Sequence, residues 1–489
     1  MPLPWAPRHT RLDFRLTFPT ISRLCGRTRL GYASRRTNDR REIHQPMLSE
    51  RALSRIVHNR AARTLELAPS TRTRVPGPKP GMRYMLYMHV PFCARLCPYC
   101  SFNRYPYHEE IARPYFEHMR KEMHMLADLG YDFESIYIGG GTPTIMMDEL
   151  IQTIDDARAT FHIKEVSCET NPNHLAPEYI EQLEGRVQRL SVGVQSFDDT
   201  LLKQMDRYWK YGSGDEILEL IDTAAPHFDA LNVDMIFNFP SQTEEILERD
   251  LAKIKQCHCQ QVTFSPLYVS HATTRKMEET LGKMDYDREQ RYYQMVDEAL
   301  TGGSDPAFER CTLWTFNRLD PASGQAEDEN LMVDEYAVAY EEYPAIGSGS
   351  IAHLDGTLFV NTFSIQEYNE AIDEGRMPLM GEAHLSAHDL ECYDFLIQLY
   401  HLRFDKRAFE KRFGKSVERA LPTELAFLRL NRAFATDNDA ELTLTPMGRY
   451  LTLVMYRQFL SGMNELRDQA RAALSGPEHE LLFGDGSPA

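Results

Sequence analysis

The sequence predicts an α/β protein in which a parallel sheet is covered by helices, followed by a mostly helical C-terminal domain. Three observations support this fold class. Short apolar strands alternate with helical stretches between residues 82 and 304, the pattern becomes irregular and β-rich after about Asp305, and helical periodicity dominates from Ser386 onward. A chain of 489 residues is long enough for roughly two to four folding units, each with a core of its own.

The alternating region contains six βα units. Strands are predicted at Met82–Val90, Ser135–Ile138, Glu165–Glu169, Arg189–Gly193, Leu231–Phe237 and Gln261–Pro266. The clearest helices are predicted at Glu109–Leu129, Met147–Thr160, Asp215–Ala225 and Thr243–Gln256. Alternation of short strands with helices is typical of a parallel sheet with both faces covered. Six units are fewer than the eight of a closed barrel, so an open barrel and a doubly wound sheet both fit.

The ends of the chain differ from the alternating core. Residues 1–46 form a basic leader with ten Arg, which could be a transit segment, a disordered arm, or upstream sequence ahead of a true start at Met47. Residues 47–81 read as a helix and a linker rich in Pro, the latter at Ala68–Pro80. We expect a core at 82–304, a β-rich extension closing the barrel at 305–375, a helical domain at 376–475 and a tail at 476–489.

Composition excludes several classes of function. The net charge of −18 argues against binding to a phosphate backbone, so no nucleic-acid partner is expected. No run of 18 apolar residues occurs, which argues against a membrane span. Nine Cys are too few and too unevenly placed for a disulfide-stapled secreted scaffold.

Three of those cysteines carry the strongest chemical signal. Cys93, Cys97 and Cys100 form a C-x3-C-x2-C run just after the first strand. Three thiolates on one tight loop can hold three corners of a cubane iron–sulfur cluster and leave the fourth iron open. Zinc, which requires four ligands or three plus water, is one alternative. Three unrelated buried thiols are the other.

Polar and glycine residues follow the later strands. Gly139-Gly140-Gly141-Thr142 comes directly after the second strand and would let backbone N–H groups approach a ligand closely. Glu169 ends the third strand, Gln195 follows the fourth and Asp234 lies within the fifth. The carboxyl ends of parallel strands meet on one face, so these side chains are expected to converge on one pocket.

These motifs resemble the radical S-adenosylmethionine (SAM) superfamily and, more narrowly, the oxygen-independent coproporphyrinogen III oxidase-like family. The matching segments are Tyr87–Cys93, the Cys triad, GGGTPT at 139–144, Glu169–Pro172, Ser191–Phe197, Asp206–Arg207, Asn232–Asp234 and Ile346–Ile351. The resemblance implies an open parallel (β/α)6 partial TIM barrel, the radical SAM core. It also implies a [4Fe–4S] cluster and SAM as cofactors, which together generate a 5′-deoxyadenosyl radical.

The resemblance also implies roles for individual residues. Cys93, Cys97 and Cys100 would bind the cluster. Tyr87, Gly140, Glu169 and Ile351 match positions that contact the SAM molecule on the cluster. Positions that match contacts to a second SAM are Tyr99, Gly141, Thr142, Gln195, Arg207, Asp234 and Leu267. Among the polar residues, Arg207 can pair with a carboxylate and Asp234 can accept ribose hydroxyl hydrogens.

Three functions follow from the resemblance. The first is oxidative decarboxylation, or related chemistry, on a tetrapyrrole by a cytoplasmic oxidoreductase that receives electrons from a donor such as flavodoxin or ferredoxin. The second is a radical SAM methyltransferase or haem-degrading enzyme with two SAM sites, and the third is a haem chaperone. The family's oxidases carry a fourth Cys where this chain has Phe102, and its chaperone branch usually has Asp in place of Ser101.

A tetrapyrrole with several carboxylates requires arginine contacts. The candidates are Arg51, Arg55, Arg60, Arg63 and Arg104. The alternative is that they lie on a solvated helix face.

Overall fold

The computed structural model describes residues 48–319 and 340–483. The predicted leader therefore lies outside the described residues, as do parts of the predicted β-rich extension and of the tail. None of the helices in these two stretches combines the length and the apolar character that a membrane crossing requires.

The strands and helices alternate through the first described stretch. The strands are β1 (Ala68–Pro69), β2 (Met85–Val90), β3 (Phe92–Cys93), β4 (Tyr105–Pro106), β5 (Ser135–Gly140), β6 (Glu165–Thr170), β7 (Arg189–Gln195), β8 (Ala230–Phe237), β9 (Gln261–Pro266), β10 (Phe308–Arg310), β11 (Thr315–Arg318), β12 (Ala345–Ile346), β13 (Ile351–Leu354), β14 (Thr357–Asn361), β15 (Leu379–His384), β16 (Arg403–Asp405), β17 (Phe434–Asp437) and β18 (Glu441–Leu444). The helices are α1 (Leu48–Thr64), α2 (Glu109–Asp128), α3 (Met147–Thr160), α4 (Pro177–Leu183), α5 (Asp199–Gln204), α6 (Tyr208–Tyr211), α7 (Gly214–Ala224), α8 (Glu244–Gln256), α9 (His271–Leu281), α10 (Glu289–Thr301), α11 (Ile365–Asp373), α12 (Ala387–Tyr400), α13 (Lys406–Phe413), α14 (Val417–Ala420), α15 (Pro422–Leu430), α16 (Pro446–Arg471) and α17 (Gly476–Phe483).

The main sheet has the order β10-β11-β9-β8-β7-β6-β5-β2-β12. The six predicted strands are its centre, where β2, β5, β6, β7, β8 and β9 pair in parallel with their neighbours in chain order. Every residue of β2 is buried, as expected where helices cover both faces of a parallel sheet. The predicted α/β fold class with an open parallel sheet is confirmed.

The β-rich extension lengthens this sheet at both edges. Strand β12 pairs in parallel with β2, with Ala345 opposite Tyr87. At the other edge, β11 pairs antiparallel with β9 and β10 pairs with β11. The sequence did not indicate these pairings because β10, β11 and β12 have two to four residues each, too few to show the two-residue strand period.

The segment predicted as a linker is packed against the protein. Ala68 lies opposite Glu382 in an antiparallel pairing of β1 with β15. Further along, Val75 is buried and its N–H lies 3.3 Å from the Met377 sulfur. Proline and glycine indicate irregular backbone, and this irregular backbone contributes to the core.

The C-terminal region is mostly helical, as predicted, with a small antiparallel sheet of order β16-β18-β17. Its longest helix, α16, begins at Pro446 after Thr445, whose hydroxyl accepts from the Gly448 N–H. Helix α1 packs along α16, and a Cβ on Gly462 would lie 2.6 Å from Ala61 Cβ. This close contact anchors the N-terminal helix on the C-terminal one.

Candidate active site

The carboxyl ends of the parallel strands open onto a cavity of about 310 Å³, which we call the strand-end cavity. Twelve of the fourteen predicted site residues line it: Cys93, Cys97, Tyr99, Cys100, Gly140, Gly141, Thr142, Glu169, Gln195, Arg207, Asp234 and Leu267. The strands bring these residues together because parallel strands end on the same face of a sheet.

The three cysteines lie on one loop that follows the C-terminal end of β2. The Cys100 N–H donates to the Cys97 carbonyl over 3.3 Å, and β3, which ends at Cys93, pairs with β4. All three thiols are free and partly exposed. Burial raises the pKa of Cys93 to about 12, and the neighbouring Cys100 raises it further.

The glycine loop after β5 lies against the cysteine loop. A Cβ on Gly140, whose φ is +115°, would lie 2.6 Å from the His89 ring. On Gly141, a Cβ would lie 2.6 Å from the Phe92 carbonyl oxygen. Glycine is required at both positions, because a side chain at Gly140 would collide with His89 of β2 and one at Gly141 with the backbone of Phe92.

Two carboxylates are held at the ends of neighbouring strands. The Glu169 oxygens accept from the Tyr137 hydroxyl over 2.9 Å and from the Gly140 N–H over 2.8 Å. The Asp234 oxygens accept from Ser191 over 2.8 Å and from Asn232 over 2.7 Å. These bonds fix the orientation of both carboxylates beside the cavity.

Arg207 supplies a buried cation to the same cavity, with only 4% of its surface exposed. Its guanidinium donates to the Cys97 sulfur over 3.5 Å, to Asn171 Oδ1 over 3.0 Å and to the Gly193 carbonyl. Within the described residues, its Nε has no acceptor and no carboxylate lies within ion-pair distance. Burial opposes the charge, yet nearby Tyr99 and Cys97 raise the pKa of Arg207 overall. An anionic ligand would complete this environment.

Gln195, Leu267 and Tyr99 complete the predicted lining. Gln195 has a φ of +76° at an irregularity in the pairing of β7 with β8, and such strained backbone is characteristic of functional sites. The Leu267 N–H donates to the Phe237 carbonyl over 3.0 Å. Tyr99 is buried against Phe239 at 5.5 Å between ring centroids.

The remaining two predicted residues, Tyr87 and Ile351, are buried outside the lining. The Tyr87 hydroxyl is 2.8 Å from His89 Nδ1, and His89 Nε2 is 2.9 Å from the Asn103 carbonyl. Burial lowers the pKa of His89 to about 4, so its ring is neutral near pH 7. Ile351 belongs to an apolar cluster that includes Leu358.

Several lining residues are not among the predicted site residues. Asn171 donates to Thr142 over 2.8 Å while accepting from Arg207. It lies within the matching segment Glu169–Pro172, so that segment could have identified it as a site residue. Five aromatic rings also line the cavity: Trp314, Tyr343, Tyr393, Tyr456 and Phe459. Arg467 on α16 lies over the Phe102 ring at 4.8 Å, and no local pattern indicates this long-range contact.

Arg104 and Arg467 add two further guanidinium groups to the cavity. Arg104 donates to the Cys100 carbonyl over 2.6 Å, and Arg467 donates to Asn464 Oδ1 over 2.7 Å. Of the other arginines considered from the sequence, Arg60 lies elsewhere, in an ion pair with Asp389. Arg55 and Arg63 do not line the strand-end cavity.

Part of the chain matches a known family model. Residues 87–254 match the sequence model of the Radical SAM superfamily. The chain contains a radical SAM domain. The matched residues begin in β2, include the cysteine loop and end in α8, so they cover most of the parallel sheet. The resemblance found in the sequence is thereby confirmed.

Curated relatives of this chain carry two different descriptions. Heme chaperone HemW from Bacillus subtilis is 24% identical over 76% of this chain and 98% of its own length. Oxygen-independent coproporphyrinogen III oxidase from Helicobacter pylori is 27% identical over 71% of this chain and 79% of its own length. Relatives at this distance therefore leave the specific activity open.

A solved structure shows the same fold. Coproporphyrinogen III oxidase (HemN) from Escherichia coli, described as a radical SAM enzyme, matches with a TM-score of 0.63 at 19% identity. The match covers 78% of this chain and 91% of that chain. It confirms an α/β core with a helical C-terminal region.

Proposed function

We propose that this protein is a radical SAM enzyme that holds a [4Fe–4S] cluster on Cys93, Cys97 and Cys100, binds SAM beside it, and acts on a tetrapyrrole that carries carboxylates. The observation that supports this proposal best is the arrangement of the strand-end cavity. Three free thiols share it with the buried cation of Arg207, which lacks a carboxylate partner among the described residues.

The cysteine loop fits a cluster with one open iron. Three thiols line one cavity, which supports a cluster held by three cysteines with its fourth iron open. Thr142 and Arg207 place hydrogen-bond donors 3.8 Å from the Cys93 sulfur and 3.5 Å from the Cys97 sulfur. Donors to cluster sulfurs adjust the reduction potential of iron–sulfur sites.

The polar residues around the cluster loop fit SAM. Glu169 can accept from an ammonium group, Asp234 can accept from ribose hydroxyls, and the Arg207 guanidinium can pair with a carboxylate. When bound, the cluster and SAM together supply one-electron chemistry that removes a hydrogen atom from the substrate. The protein's part is to hold these groups in place and exclude water.

The rest of the cavity lining fits a flat acidic substrate. Aromatic rings provide an apolar wall, while Arg104 and Arg467 provide two guanidinium groups for carboxylates. Relatives described as haem chaperones and as coproporphyrinogen oxidases both act on tetrapyrroles, which is the reason for proposing this substrate class. Oxidative decarboxylation of a propionate is the reaction expected from the oxidases among them.

Anaerobic reconstitution tests the proposal. Protein loaded with iron and sulfide is reduced with flavodoxin or dithionite, then incubated with SAM and either coproporphyrinogen III or haem. Vinyl products with CO2 would indicate a decarboxylase, and S-adenosylhomocysteine with a mass-shifted tetrapyrrole would indicate a transferase or a haem-degrading enzyme. Stoichiometric haem binding without product would indicate a chaperone and contradict the enzymatic proposal.

A cysteine variant provides the matched control. Cys97→Ala should lose iron, visible charge-transfer absorption and SAM cleavage together, because a thiolate ligand is removed. Cys311→Ala, also a partly exposed thiol but outside the strand-end cavity, should retain all three. Iron content and 5′-deoxyadenosine formation are the measurements. Full SAM cleavage by the Cys97 variant would contradict the cluster assignment.

A further inference from the structure

A second cavity, of about 240 Å³, adjoins the strand-end cavity. We call it the apolar chamber. It lies between α1, α12, α15 and α16, with lining residues that include Val57, Leu396, Phe427 and Met455. Leu358, Tyr393 and Phe459 line both cavities, so these three side chains form a shared wall.

The surface of the apolar chamber is unsuited to carboxylates. Its lining is almost wholly apolar. Its one arginine, Arg60, is already paired, at 3.2 Å with Asp389 and at 3.5 Å with Glu424. The two acids outnumber that cation, and burial lowers the pKa of His353 to about 4 and keeps it neutral. A carboxylate here would be buried unpaired and repelled, which is strongly unfavourable.

The strand-end cavity has the opposite character. Arg104 and Arg467 face it without an ion-pair partner among the described residues. Both bond only to neutral oxygens there, Arg104 to the Cys100 carbonyl and Arg467 to Asn464. Both guanidinium groups can therefore still form charged hydrogen bonds to ligand carboxylates in the strand-end cavity.

Size indicates that the two cavities serve one ligand. Small-molecule sites have volumes of roughly 300–1,000 Å³, so the apolar chamber at about 240 Å³ is small for a site of its own. The strand-end cavity, at about 310 Å³, must also hold the cluster and SAM. A macrocycle placed there needs adjoining space, which the apolar chamber would provide on rearrangement of the side chains in the shared wall.

We infer that the substrate is amphipathic, with its carboxylates at Arg104 and Arg467 and its opposite, uncharged edge in the apolar chamber. This inference rests on the proposed function and narrows its substrate class. It selects tetrapyrroles with carboxylates on one edge only, as in haem and protoporphyrin, over coproporphyrinogen, which carries a carboxylate on each of its four rings. Phe459 and Tyr393 lie where the macrocycle would cross from one cavity to the other.

Porphyrin binding to the cluster-loaded protein tests the inference. Protoporphyrin IX and coproporphyrin III are titrated separately under anaerobic conditions and followed by absorbance. The unmodified protein should bind protoporphyrin IX at least about tenfold more tightly than coproporphyrin III. Protoporphyrin would place an uncharged edge in the apolar chamber, whereas coproporphyrin would have to bury carboxylates there. Equal or tighter binding of coproporphyrin would overturn the inference and leave the proposed function intact.

Substitutions at Leu396, a half-buried residue of the apolar chamber, provide a second test. Leu396→Trp fills the chamber and should reduce the preference for protoporphyrin, whereas Leu218→Trp, at a half-buried site on α7 outside both cavities, should not. Leu396→Arg adds a cation and should improve coproporphyrin binding, a gain that misfolding cannot produce. An unchanged preference in both Leu396 variants would refute the chamber's role.

The porphyrin titrations distinguish failure of the proposed function from failure of the inference about the apolar chamber. If neither porphyrin binds to protein that carries its cluster and cleaves SAM, the tetrapyrrole assignment is wrong, and the inference about the apolar chamber is wrong with it. If both bind and only the preference is missing, the inference alone is overturned.

Discussion

Arg207 provides a quantitative test of the SAM site. Its guanidinium is buried, donates to Asn171, Gly193 and Cys97, and has an Nε without an acceptor among the described residues. A hydrogen bond to a charged group contributes about 1.5–3 kcal/mol. If Arg207 holds the SAM carboxylate, Arg207→Met should weaken SAM binding by roughly 10- to 150-fold.

Isothermal titration of cluster-loaded protein with SAM measures this effect. Arg207→Lys, which keeps the charge but loses the planar fork, should give an intermediate affinity. Arg186→Met removes a partly exposed arginine that pairs with Asp155 at 3.1 Å and lies outside the strand-end cavity, so it should leave SAM affinity unchanged. Iron content is measured for each variant, because Arg207 also donates to Cys97. An Arg207→Met variant with a full cluster and unaltered SAM affinity would refute the assignment.

Three further variants test other features. Glu169→Gln should weaken SAM binding while iron content stays intact, and equal affinity would remove Glu169 from the site. Gly140→Ala should lower iron content and thermal stability, because its Cβ would collide with the His89 ring. Gly303→Ala, at a φ of +90° with nothing within 4 Å, controls for a side chain at positive φ without a collision. Burial raises the pKa of Asp250 to about 7, so the folded state retains a proton that the unfolded state releases from about pH 4. The unmodified protein should therefore lose stability relative to Asp250→Asn as pH rises from about 4 to 7, and parallel urea curves at every pH would contradict this.

The parallel sheet was predictable from local sequence. Its six central strands are apolar segments of six to eight residues separated by helices, so each carried a recognisable pattern. Strands β10, β11 and β12 have four residues or fewer and pair at the sheet edges through tertiary contacts. Pairing of that kind depends on where the rest of the chain places a strand, which local periodicity does not encode.

The residues of the candidate site also divide into those that local sequence predicts and those that depend on tertiary contacts. Residues on the strand ends, such as Glu169 and Asp234, were predictable because strand order determines where they converge. Arg467 was not, because it reaches the cysteine loop from α16, more than 360 residues further along the chain. The loop residue Ser101 shows the same dependence, since its hydroxyl donates to Asn464 of α16 over 2.9 Å.

The contacts between the cysteine loop and α16 suggest that different parts of the fold determine substrate specificity and the proposed radical chemistry. The sheet supplies the residues proposed for the cluster and SAM, whereas α16 supplies Arg467 and, with Phe459, part of the wall shared by the two cavities. Phe102 follows the cysteine triad, and its ring lies beneath Arg467 at 4.8 Å. An aromatic ring there provides a surface that orients a guanidinium. Substrate specificity should therefore change with substitutions on α16, while SAM cleavage without substrate should change with substitutions on the strand ends.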